Sequence, residues 1–310
     1  MNVLPISVLI PTMNRPETLK ATLDSFFNGD VLPAQVVVVD QSNDENAKKT
    51  KNVCDKYSDK AQIKYVYQER PSSTEARNNA YNYASGEIIV FSDDDVLVYK
   101  NTLKNVVSVM QRNEVAMIAG IDDNSSASST NIGYLLGTKS YKNRKIGHVT
   151  LSMLGRYPDN IKGEIETQWA MGYFFVVRKS LLDKWNIRWD ENLTSYAYAE
   201  DLDFSFSYYK KAKSENLKCV INEQVRVKHC VSKEYRTPIT KSTYMYVVNR
   251  YYLGYKHNMG FRSRLAMKWC NFWRLIEKVV KKENPMDMSN AMKYLRKNKK
   301  DIKRGKFLYE

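Results

Sequence analysis

Short apolar runs alternate with helical patterns over residues 6–119 of the chain. The runs are rich in β-branched side chains, which is typical of strands inside a sheet. Strands that alternate with helices of about ten to fifteen residues favour a parallel α/β sheet. The predicted strands are Ile6–Ile10, Gln35–Asp40, Ile63–Tyr67 and Glu87–Ser92, and the predicted helices begin at Pro16, near Glu45 and near Thr74, which can act as a cap.

The pattern changes twice further along the chain. Residues 120–166 lose the periodicity and are rich in Ser, Asn and Gly, which is typical of a lid, a binding loop or disorder. Strand and helix patterns then return, and from about Thr240 the pattern is purely helical. The predicted elements between these regions are a strand at Gly172–Val177, helices at Ser180–Trp185 and Glu200–Lys211, and a strand at Val225–Val231.

The composition of the 310 residues, with 43% hydrophobic and 27% charged side chains, is that of a globular chain and excludes general disorder. No apolar run approaches the roughly 20 residues that cross a bilayer. The first residues lack the basic and apolar regions of a signal peptide, so we expect a cytoplasmic protein. The isolated cysteines, without a Cys-x-x-Cys spacing, are typical of reduced thiols.

Most of the positive charge lies in the C-terminal part of the chain. Residues 241–310 carry 18 Lys and Arg against 5 Asp and Glu, and they therefore hold +13 of the formal net charge of +15. The residues before them are nearly neutral. We predict an α/β domain at residues 1–239 and a basic amphipathic helical extension at residues 240–310.

Three adjacent carboxylates, Asp93–Asp95, follow the fourth predicted strand. In parallel α/β sheets ligands bind beyond the carboxyl ends of the strands, and here those ends also carry Thr12, Asp40 and Gln68. Adjacent carboxylates repel one another, so a hard divalent cation with a substrate diphosphate is a natural partner. The alternative is a solvated acidic turn.

Asp40 and Arg77 are candidates for the nucleotide end of such a site. A carboxylate at a strand end can accept hydrogen bonds from the N–H groups of a nucleobase, and Asp40 is placed for this. The alternative is a turn or helix cap, a role that Asn43 and Asp44 could serve equally well. Arg77, early in a predicted helix, could reach the nucleotide or hold Asp40 and the Asp93 cluster in place. A surface salt bridge is the alternative for Arg77.

A second acidic pair, Glu200 and Asp201, begins a predicted helix. Carboxylates in a first helical turn often serve the helix dipole alone. The functional alternative is a general base for an acceptor hydroxyl, and Asp201 is the candidate. His229, at the end of the last predicted strand, is either a further metal ligand or a structural hydrogen-bonding residue.

The order of these motifs resembles that of the family 2 glycosyltransferases, which have a GT-A fold. The motifs cover roughly the first 230 residues, and their shared order is more specific than any single motif. The resemblance implies a Rossmann-like α/β fold with a mostly parallel central sheet flanked by helices. The matching motifs are Pro11-Thr12-x-Asn14-Arg15, Val39-Asp40-x-Ser42, Ala76-Arg77-Asn78, Asp93-x-Asp95, Trp169-x-x-Gly172, Glu200-Asp201 and His229.

The resemblance also implies roles for these residues, with Mn²⁺ or Mg²⁺ as cofactor. Asp201 is the implied catalytic base with Glu200 beside it, and Asp95 and His229 are the implied metal ligands. The implied acceptor-binding residues are Trp169, Gly172 and Glu200. The implied nucleotide-sugar-binding residues are Pro11, Thr12, Asn14, Arg15, Asp40, Ser42, Arg77, Asp93 and Asp94.

For residues 1–239 the resemblance implies a catalytic domain that transfers a sugar, with inversion, from a nucleotide diphosphate sugar to a hydroxyl group. A UDP-sugar is the favoured donor, and the acceptor is a glycan or a lipid-linked glycan in cell-surface polysaccharide or glycoconjugate synthesis. Two features depart from the family pattern. Asp40-Gln-Ser-Asn43 replaces the usual Asp-Asp-Gly-Ser, and Gln168 stands where an acidic residue often precedes Trp169. Trp169 could stack on a sugar ring or belong to the core.

The helical extension carries an apolar and aromatic stripe with Lys and Arg between its members. Such a helix suits an anionic membrane surface, here the inner face of the cell membrane, but it could equally pack on the catalytic domain or on a second subunit. The segment Lys297–Arg304 is expected to fray. The stripe consists of Tyr244, Val247, Val248, Tyr251, Tyr252, Tyr255, Phe261, Leu265, Trp269, Phe272, Trp273, Ile276 and Val280.

Two other classes of protein fit part of the sequence. A basic, aromatic tail is also typical of nucleic-acid-binding proteins. The carboxylates at the expected ligand edge would repel phosphates, however, so we expect no nucleic-acid partner. A catalytically inactive GT-A scaffold would keep the fold and lose nucleotide binding.

Overall fold

The computed structural model describes residues 5–124, 130–137, 139, 145–158, 160–194, 198–230 and 237–307. The strands are β1 (Ile6–Thr12), β2 (Gln35–Asp40), β3 (Gln62–Tyr67), β4 (Ile88–Ser92), β5 (Val96–Val98), β6 (Val115–Asp122), β7 (His148–Val149), β8 (Gly155–Arg156), β9 (Glu164–Glu166), β10 (Phe174–Arg178) and β11 (Lys218–His229). The helices are α1 (Pro16–Phe27), α2 (Asp44–Asp55), α3 (Ser73–Asn82), α4 (Thr102–Met110), α5 (Asn131–Leu135), α6 (Lys179–Trp185), α7 (Glu200–Ser214), α8 (Ile239–Lys256), α9 (Gly260–Val280), α10 (Met286–Lys297) and α11 (Lys299–Lys303).

Within the described residues, nine strands form one sheet in the order β3-β2-β1-β4-β10-β6-β11-β5, with β9 alongside β11. Strands β1, β2, β3, β4, β6 and β11 run in one direction, and β5, β9 and β10 run in the other. The predicted α/β fold with a mostly parallel central sheet is therefore confirmed. The antiparallel insertion of β10 between β4 and β6 was beyond prediction, because alternation along the chain does not determine strand order.

Strand β2 shows why helices cover both faces of the sheet. Val36 and Val38 pack in an apolar cluster with residues of α1 and α4. Val37 and Val39 point the other way and pack in a second cluster with residues of α3 and α7. A strand that is buried on both faces has a continuous apolar sequence, and its polar residues lie at the strand ends.

The start of α3 differs from the prediction. Thr74 does not cap this helix, because the side chain of Ser72 occupies the cap position and accepts the N–H of Glu75 at 3.4 Å. The Thr74 hydroxyl instead donates to the Leu193 carbonyl at 3.0 Å. Ser72 and Thr74 are both residues that favour the N-cap position, so the sequence alone does not show which of them caps the helix.

The last strand also differs from the prediction. β11 begins at Lys218 rather than Val225, because a register shift between Ile221 and Arg226 interrupts its apolar pattern. The predicted end at Val231 lies outside the described residues. The aperiodic region 120–166 contains short elements, namely α5, β7, β8 and β9. Residues 125–129, 138, 140–144 and 159 within it are also outside the described residues.

The first half of the predicted C-terminal stripe packs on the sheet. Val248 and Tyr251 of α8 belong to the same apolar cluster as residues of α3 and α7. Lys256, at the end of α8, bridges Asp190 and Asp203 at 2.6 Å each. The contact is therefore fixed by apolar packing and by charge. Whether residues 1–239 and 240–310 form separate domains remains a prediction.

Much of the second half of the stripe is exposed to solvent. Phe261, Leu265, Trp269 and Phe272 of α9 are 50% to 61% exposed. The chain then returns to the sheet domain. The expectation that Lys297–Arg304 frays is wrong, because Ile302 of α11 is wholly buried in the main apolar cluster.

None of the helices in the described part of the chain combines the length and the apolarity that a membrane crossing requires.

Candidate active site

A cleft of about 1000 Å³ opens at the carboxyl ends of the parallel strands. Most of the residues predicted for the site line it. They are Pro11, Thr12, Arg15, Arg77, Asp93, Asp94, Asp95, Trp169, Gly172, Glu200, Asp201 and His229. The other three predicted residues, Asn14, Asp40 and Ser42, are not among the lining residues and lie at or just after the ends of β1 and β2.

Each carboxylate of the acidic turn after β4 has its own basic partner. Asp93 pairs with Arg77 at 2.8 Å, and Asp94 pairs with Arg15 at 2.6 Å. Asp95 faces Nε2 of His229 at 3.1 Å. The turn is therefore not a solvated acidic loop, because neighbouring elements supply the charges that balance it.

Asp94 points into the protein rather than towards a metal. Its carboxylate is wholly buried and accepts the hydroxyl of Thr12 at 2.6 Å. Burial raises the pKa of Asp94 to about 7, although Arg15 and Thr12 act in the opposite direction. Asp94 thus anchors the turn to β1, and direct contact with a nucleotide sugar remains a prediction.

Asp93, Asp95 and His229 form the candidate metal group. One ligand atom from each residue lies within 4.8 Å of the others. The antiparallel pairing of β11 with β5 sets His229 opposite Val96, next to Asp95. Two carboxylates and an imidazole suit Mn²⁺ and also allow Mg²⁺, so the side chains fit the predicted cofactor.

His229 is held through its ring and through its backbone. Its ring stacks on Tyr173 with a centroid distance of 5.1 Å, and its backbone N–H donates to Asp122 at 3.0 Å. Burial lowers the pKa of His229, but the hydrogen bond and the charge of Asp95 outweigh it and raise the pKa above the ordinary value. The ring therefore faces Asp95 in a defined position.

Arg77 joins the metal group to the second acidic pair. Its guanidinium donates to Asp93 at 2.8 Å and to Glu200 at 3.1 Å, and it lies over the Trp189 ring at 4.6 Å. Of the roles considered for Arg77, the structure supports the one that holds the Asp93 cluster. The side chain is buried, so it is not a surface salt bridge.

Asp201 is fixed at the start of α7 by backbone groups. Its carboxylate accepts the N–H of Gly172 at 2.9 Å and that of Leu202 at 2.7 Å. A side chain at Gly172 would place its Cβ 3.2 Å from the Asp201 Cβ, so glycine permits the close approach. Burial raises the pKa of Asp201 above its ordinary value although both N–H groups act to lower it. A carboxylate with a raised pKa is suited to accept a proton.

Glu200 is the partner of Arg77 in this pair. Burial and the neighbouring charge of Asp201 raise the pKa of Glu200 to about 8, and Arg77 only partly offsets them. Two adjacent carboxylates with different partners are thus set at the cleft. Within the described residues, the hydrogen-bond donors to the Asp201 carboxylate are backbone N–H groups, whereas Glu200 accepts from the Arg77 guanidinium.

Asp40 is enclosed at the end of β2. Its carboxylate accepts the hydroxyl and the N–H of Ser42 and the hydroxyl of Tyr65. Asn43, rather than Asp40, caps α2. Asn14, with a φ of 58°, donates its N–H to Ser42 at 2.7 Å and so ties β1 to β2. Contacts of these residues with a nucleobase remain predictions.

Residues 7–185, more than half of the chain, match glycosyl transferase family 2. The chain belongs to this family.

Two curated relatives illustrate the match. UDP-Glc:alpha-D-GlcNAc-diphosphoundecaprenol beta-1,3-glucosyltransferase WfgD from Escherichia coli is 29% identical over 116 residues, which are 37% of this chain and 44% of that protein. Poly(ribitol-phosphate) beta-N-acetylglucosaminyltransferase TarP from Staphylococcus aureus is 25% identical over 117 residues, which are 37% of this chain and 36% of that protein. The matched stretch therefore spans less than half of either relative.

A solved structure extends the comparison to nearly the whole fold. The mannosyltransferase PcManGT from Pyrobaculum calidifontis, in complex with GDP-Man and Mn²⁺, is 16% identical. It superimposes with a TM-score of 0.56 over 95% of this chain and 79% of that chain. The likeness concerns the fold, and the predicted GT-A architecture of this family 2 member is confirmed.

Trp169, a predicted acceptor-binding residue of this family 2 cleft, is only 7% exposed. Its ring packs on Gly155 so closely that a Cβ there would lie 2.4 Å from it, and it contacts the Tyr157 ring at a centroid distance of 4.8 Å. The side chain is thus largely core, and it reaches the cleft at one edge. Stacking on a sugar ring remains a prediction.

Sequence reasoning missed several residues that line the cleft. Gln41 lies between two predicted residues, and its Oε1 accepts the N–H of Ser72. Because Gln41 directly follows a predicted strand, its position could have identified it as a candidate residue of the cleft. Arg156, Tyr198 and Lys241 also line the cleft. They belong to a two-residue strand, an irregular segment and a helix, whose sequence patterns do not indicate what these side chains face.

Proposed function

We propose that the protein is a metal-dependent, inverting glycosyltransferase that moves a sugar from a nucleotide diphosphate sugar to a hydroxyl of a glycan or lipid-linked acceptor. The observation that carries the proposal is the meeting of two acidic centres in one cleft. Asp93, Asp95 and His229 offer ligands to a divalent cation, and Arg77 links this group to Glu200, beside Asp201. Family membership supports the reaction class.

Asp201 is the proposed general base. Its carboxylate takes the proton of the acceptor hydroxyl while the hydroxyl oxygen bonds to the anomeric carbon. The bond from that carbon to the diphosphate breaks in the same step, so the configuration inverts and no covalent enzyme intermediate forms. The N–H groups of Gly172 and Leu202 hold the carboxylate during this transfer.

Asp93, Asp95 and His229 are the proposed ligands of Mn²⁺ or Mg²⁺. When bound, the cation supplies Lewis-acid neutralisation of the charge on the diphosphate leaving group. The role of the chain is to hold these ligands in place. Arg77 fixes Asp93, and Thr12 and Arg15 fix the turn through Asp94.

A UDP-sugar is the proposed donor, and a phosphate-containing glycan is the proposed acceptor class. One relative is named for UDP-Glc and a diphosphoundecaprenol acceptor, and the other is named for poly(ribitol-phosphate). These names support a role in the synthesis of cell-surface polysaccharide or glycoconjugate. We further propose that the protein works in the cytoplasm at the inner face of the membrane.

The exposed side of α9 is the proposed membrane contact. Its apolar side chains Phe261, Leu265, Trp269 and Phe272 extend onto α5, because Trp269 donates to the Leu135 carbonyl at 2.8 Å and Leu135 is itself exposed. We call these five residues the α9 face. Basic residues surround it, and an anionic bilayer complements both properties. A second subunit is the competing occupant, and sedimentation without lipid distinguishes it by concentration-dependent dimerisation.

A thermal-shift panel of UDP, GDP, dTDP and CDP, each with Mn²⁺ or with EDTA, tests the donor proposal. We expect UDP with Mn²⁺ to raise Tm most. Failure of every nucleotide to shift Tm would support an inactive scaffold, and salt-dependent retention on DNA would support a nucleic-acid-binding protein. The anomeric configuration of the product, measured by NMR with the selected nucleotide sugar, then tests inversion.

A further inference from the structure

The acceptor end of the cleft holds positive charge that no described carboxylate pairs with. Arg156 of β8 and Lys241 of α8 line this end. The Arg156 guanidinium donates to the carbonyl oxygens of Gly155 at 3.0 Å and Gly137 at 3.5 Å, and its Nε has no hydrogen-bond partner within the described residues. A guanidinium stays charged in proteins, so its burial without an anion is costly.

A second guanidinium stands behind the first. Arg250 of α8 is wholly buried, and its charge lies over the Tyr246 ring at 3.9 Å. It donates to Asn271 at 2.6 Å, and within the described residues its hydrogen bonds go to neutral groups. Burial lowers the pKa of Arg156, and the charge of Arg250 acts in the same direction. An anion at this end would relieve both effects.

We propose that Arg156 and Lys241 bind a phosphate group of the acceptor. This inference rests on the proposed function, and it names the chemical class that the acceptor end recognises. The Arg156 guanidinium and the Lys241 ammonium line the cleft and match a phosphate or diphosphate better than a single carboxylate, and the buried charge of Arg250 adds to the positive potential there. The planar fork of arginine also fits two phosphate oxygens at once.

The position of Arg156 suits an acceptor that reaches towards Asp201. Trp169 Nε1 donates to the Arg156 carbonyl at 3.3 Å, so β8 is tied to the segment that carries Gly172. Gly172 in turn holds Asp201. An acceptor whose phosphate contacts Arg156 therefore extends past Trp169 and presents its sugar hydroxyl at the base.

The phosphate has two chemical sources, a lipid-linked glycan and a water-soluble phosphodiester polymer. The structure brings the subsite close to the α9 face. The Gly137 carbonyl that accepts from Arg156 also accepts from the Cys270 thiol of α9 at 3.1 Å. A phosphate that joins a glycan to a lipid would lie beside the proposed membrane contact.

The test is calorimetric titration of two probes, farnesyl phosphate and glycerol 3-phosphate, into the full chain saturated with UDP and Mn²⁺. The nucleotide blocks the acidic end, so the probes report on the basic end. We expect Arg156→Gln and Lys241→Gln each to weaken binding about tenfold or more, as for loss of a charged hydrogen bond, and Arg156→Lys to weaken it less. Lys241→Gln keeps the test decisive if Arg156→Gln does not fold.

Arg112→Gln is the matched control. Arg112 precedes β6 at the amino-terminal edge of the sheet, away from the cleft, and pairs with Glu164 at 2.6 Å. We expect its probe affinity to equal that of the unaltered protein. Tighter binding of farnesyl phosphate than of glycerol 3-phosphate supports the lipid source, and equal binding of the two supports recognition of the phosphate alone.

Equal affinity of the unaltered protein, Arg156→Gln and Lys241→Gln for both probes would overturn the subsite, as would the absence of saturable binding. Failure of the proposed function is seen separately, since UDP then does not bind before any probe is added. The same titrations in EDTA without nucleotide still compare the variants in that case.

Discussion

The acidic end of the cleft and the α9 face carry charge in opposite ways. In the cleft, Arg15, Arg77 and His229 come from different elements, and each meets a carboxylate of one short turn. On α9, Lys268 stands exposed beside Trp269, with apolar side chains around it. Ion pairs hold the side chains of the acidic turn in a defined geometry. Exposed cations beside an apolar surface can instead bind a surface of negative charge. We therefore propose that the cleft performs the chemistry and that α9 places the protein at a membrane.

The variant Asp201→Asn should distinguish the roles of the two regions most clearly. Loss of the base is expected to reduce turnover about a thousandfold, within the usual contribution of general base catalysis. Liposome binding should stay unchanged. Turnover is measured by nucleotide release from the donor that the thermal-shift panel selects, with prenyl-phosphate and phosphodiester glycans as acceptors.

Asp183→Asn is the control for this variant. Asp183 pairs with Lys179 at 2.6 Å in the solvent-facing part of α6. Its turnover is expected to match the unaltered protein. Turnover of Asp201→Asn within tenfold of this control would remove Asp201 from the role of base.

The cleft was largely predictable because strand ends are readable from sequence. The apolar runs before Thr12, Asp40 and Asp93 locate the strands, and parallel strands bring their carboxyl ends together. The partners of the carboxylates were less predictable. That Asp94 turns inwards to Thr12 while its neighbours face the cleft depends on the path of the turn, which no periodicity encodes.

The C-terminal helices were predictable as helices but not in what they contact. Tyr251 of α8 and Trp269 of α9 belong to one sequence pattern, yet the first is buried and the second is half exposed. The difference arises from tertiary contacts, such as the pairing of Lys256 with Asp190. Arg156 escaped prediction for the same reason, because its surroundings come from distant segments.

Asp95→Ala should have the next largest effect. We expect turnover to fall at least a hundredfold, because a leaving diphosphate loses the cation that neutralises it. Added Mn²⁺ should no longer raise Tm in the presence of UDP. Asp44→Ala, in the exposed first turn of α2, is the control. A Mn²⁺-dependent shift that persists in Asp95→Ala would remove this residue from the metal group.

The variant Lys256→Met, set beside Lys268→Met, compares how much α8 and α9 contribute to the free energy of unfolding. The change leaves two buried carboxylates, Asp190 and Asp203, without their shared cation, and we expect a loss of about 2 kcal/mol in the free energy of unfolding. Lys268→Met on α9 should change it by less than about 0.5 kcal/mol. Urea denaturation measures both. Equal effects would mean that α8 is not anchored by this contact.

Substitutions on the α9 face should have the smallest effect, and they should leave turnover unchanged. The double variant Trp269→Ser with Phe272→Ser should weaken binding to anionic vesicles about tenfold, because two apolar anchors are lost. Turnover with a water-soluble acceptor should not change. Leu32→Ser, an exposed apolar residue after α1, is the control. Unaltered vesicle binding in the double variant would locate the membrane contact elsewhere or exclude it.

Titration of UDP into the unaltered protein, with Mn²⁺ and then with EDTA, tests the central claim most directly. That claim is that Asp93, Asp95 and His229 hold a cation for a nucleotide diphosphate. We expect saturable UDP binding with Mn²⁺ and at least tenfold weaker binding with EDTA. Equal affinity under the two conditions, or no binding with Mn²⁺, would contradict it.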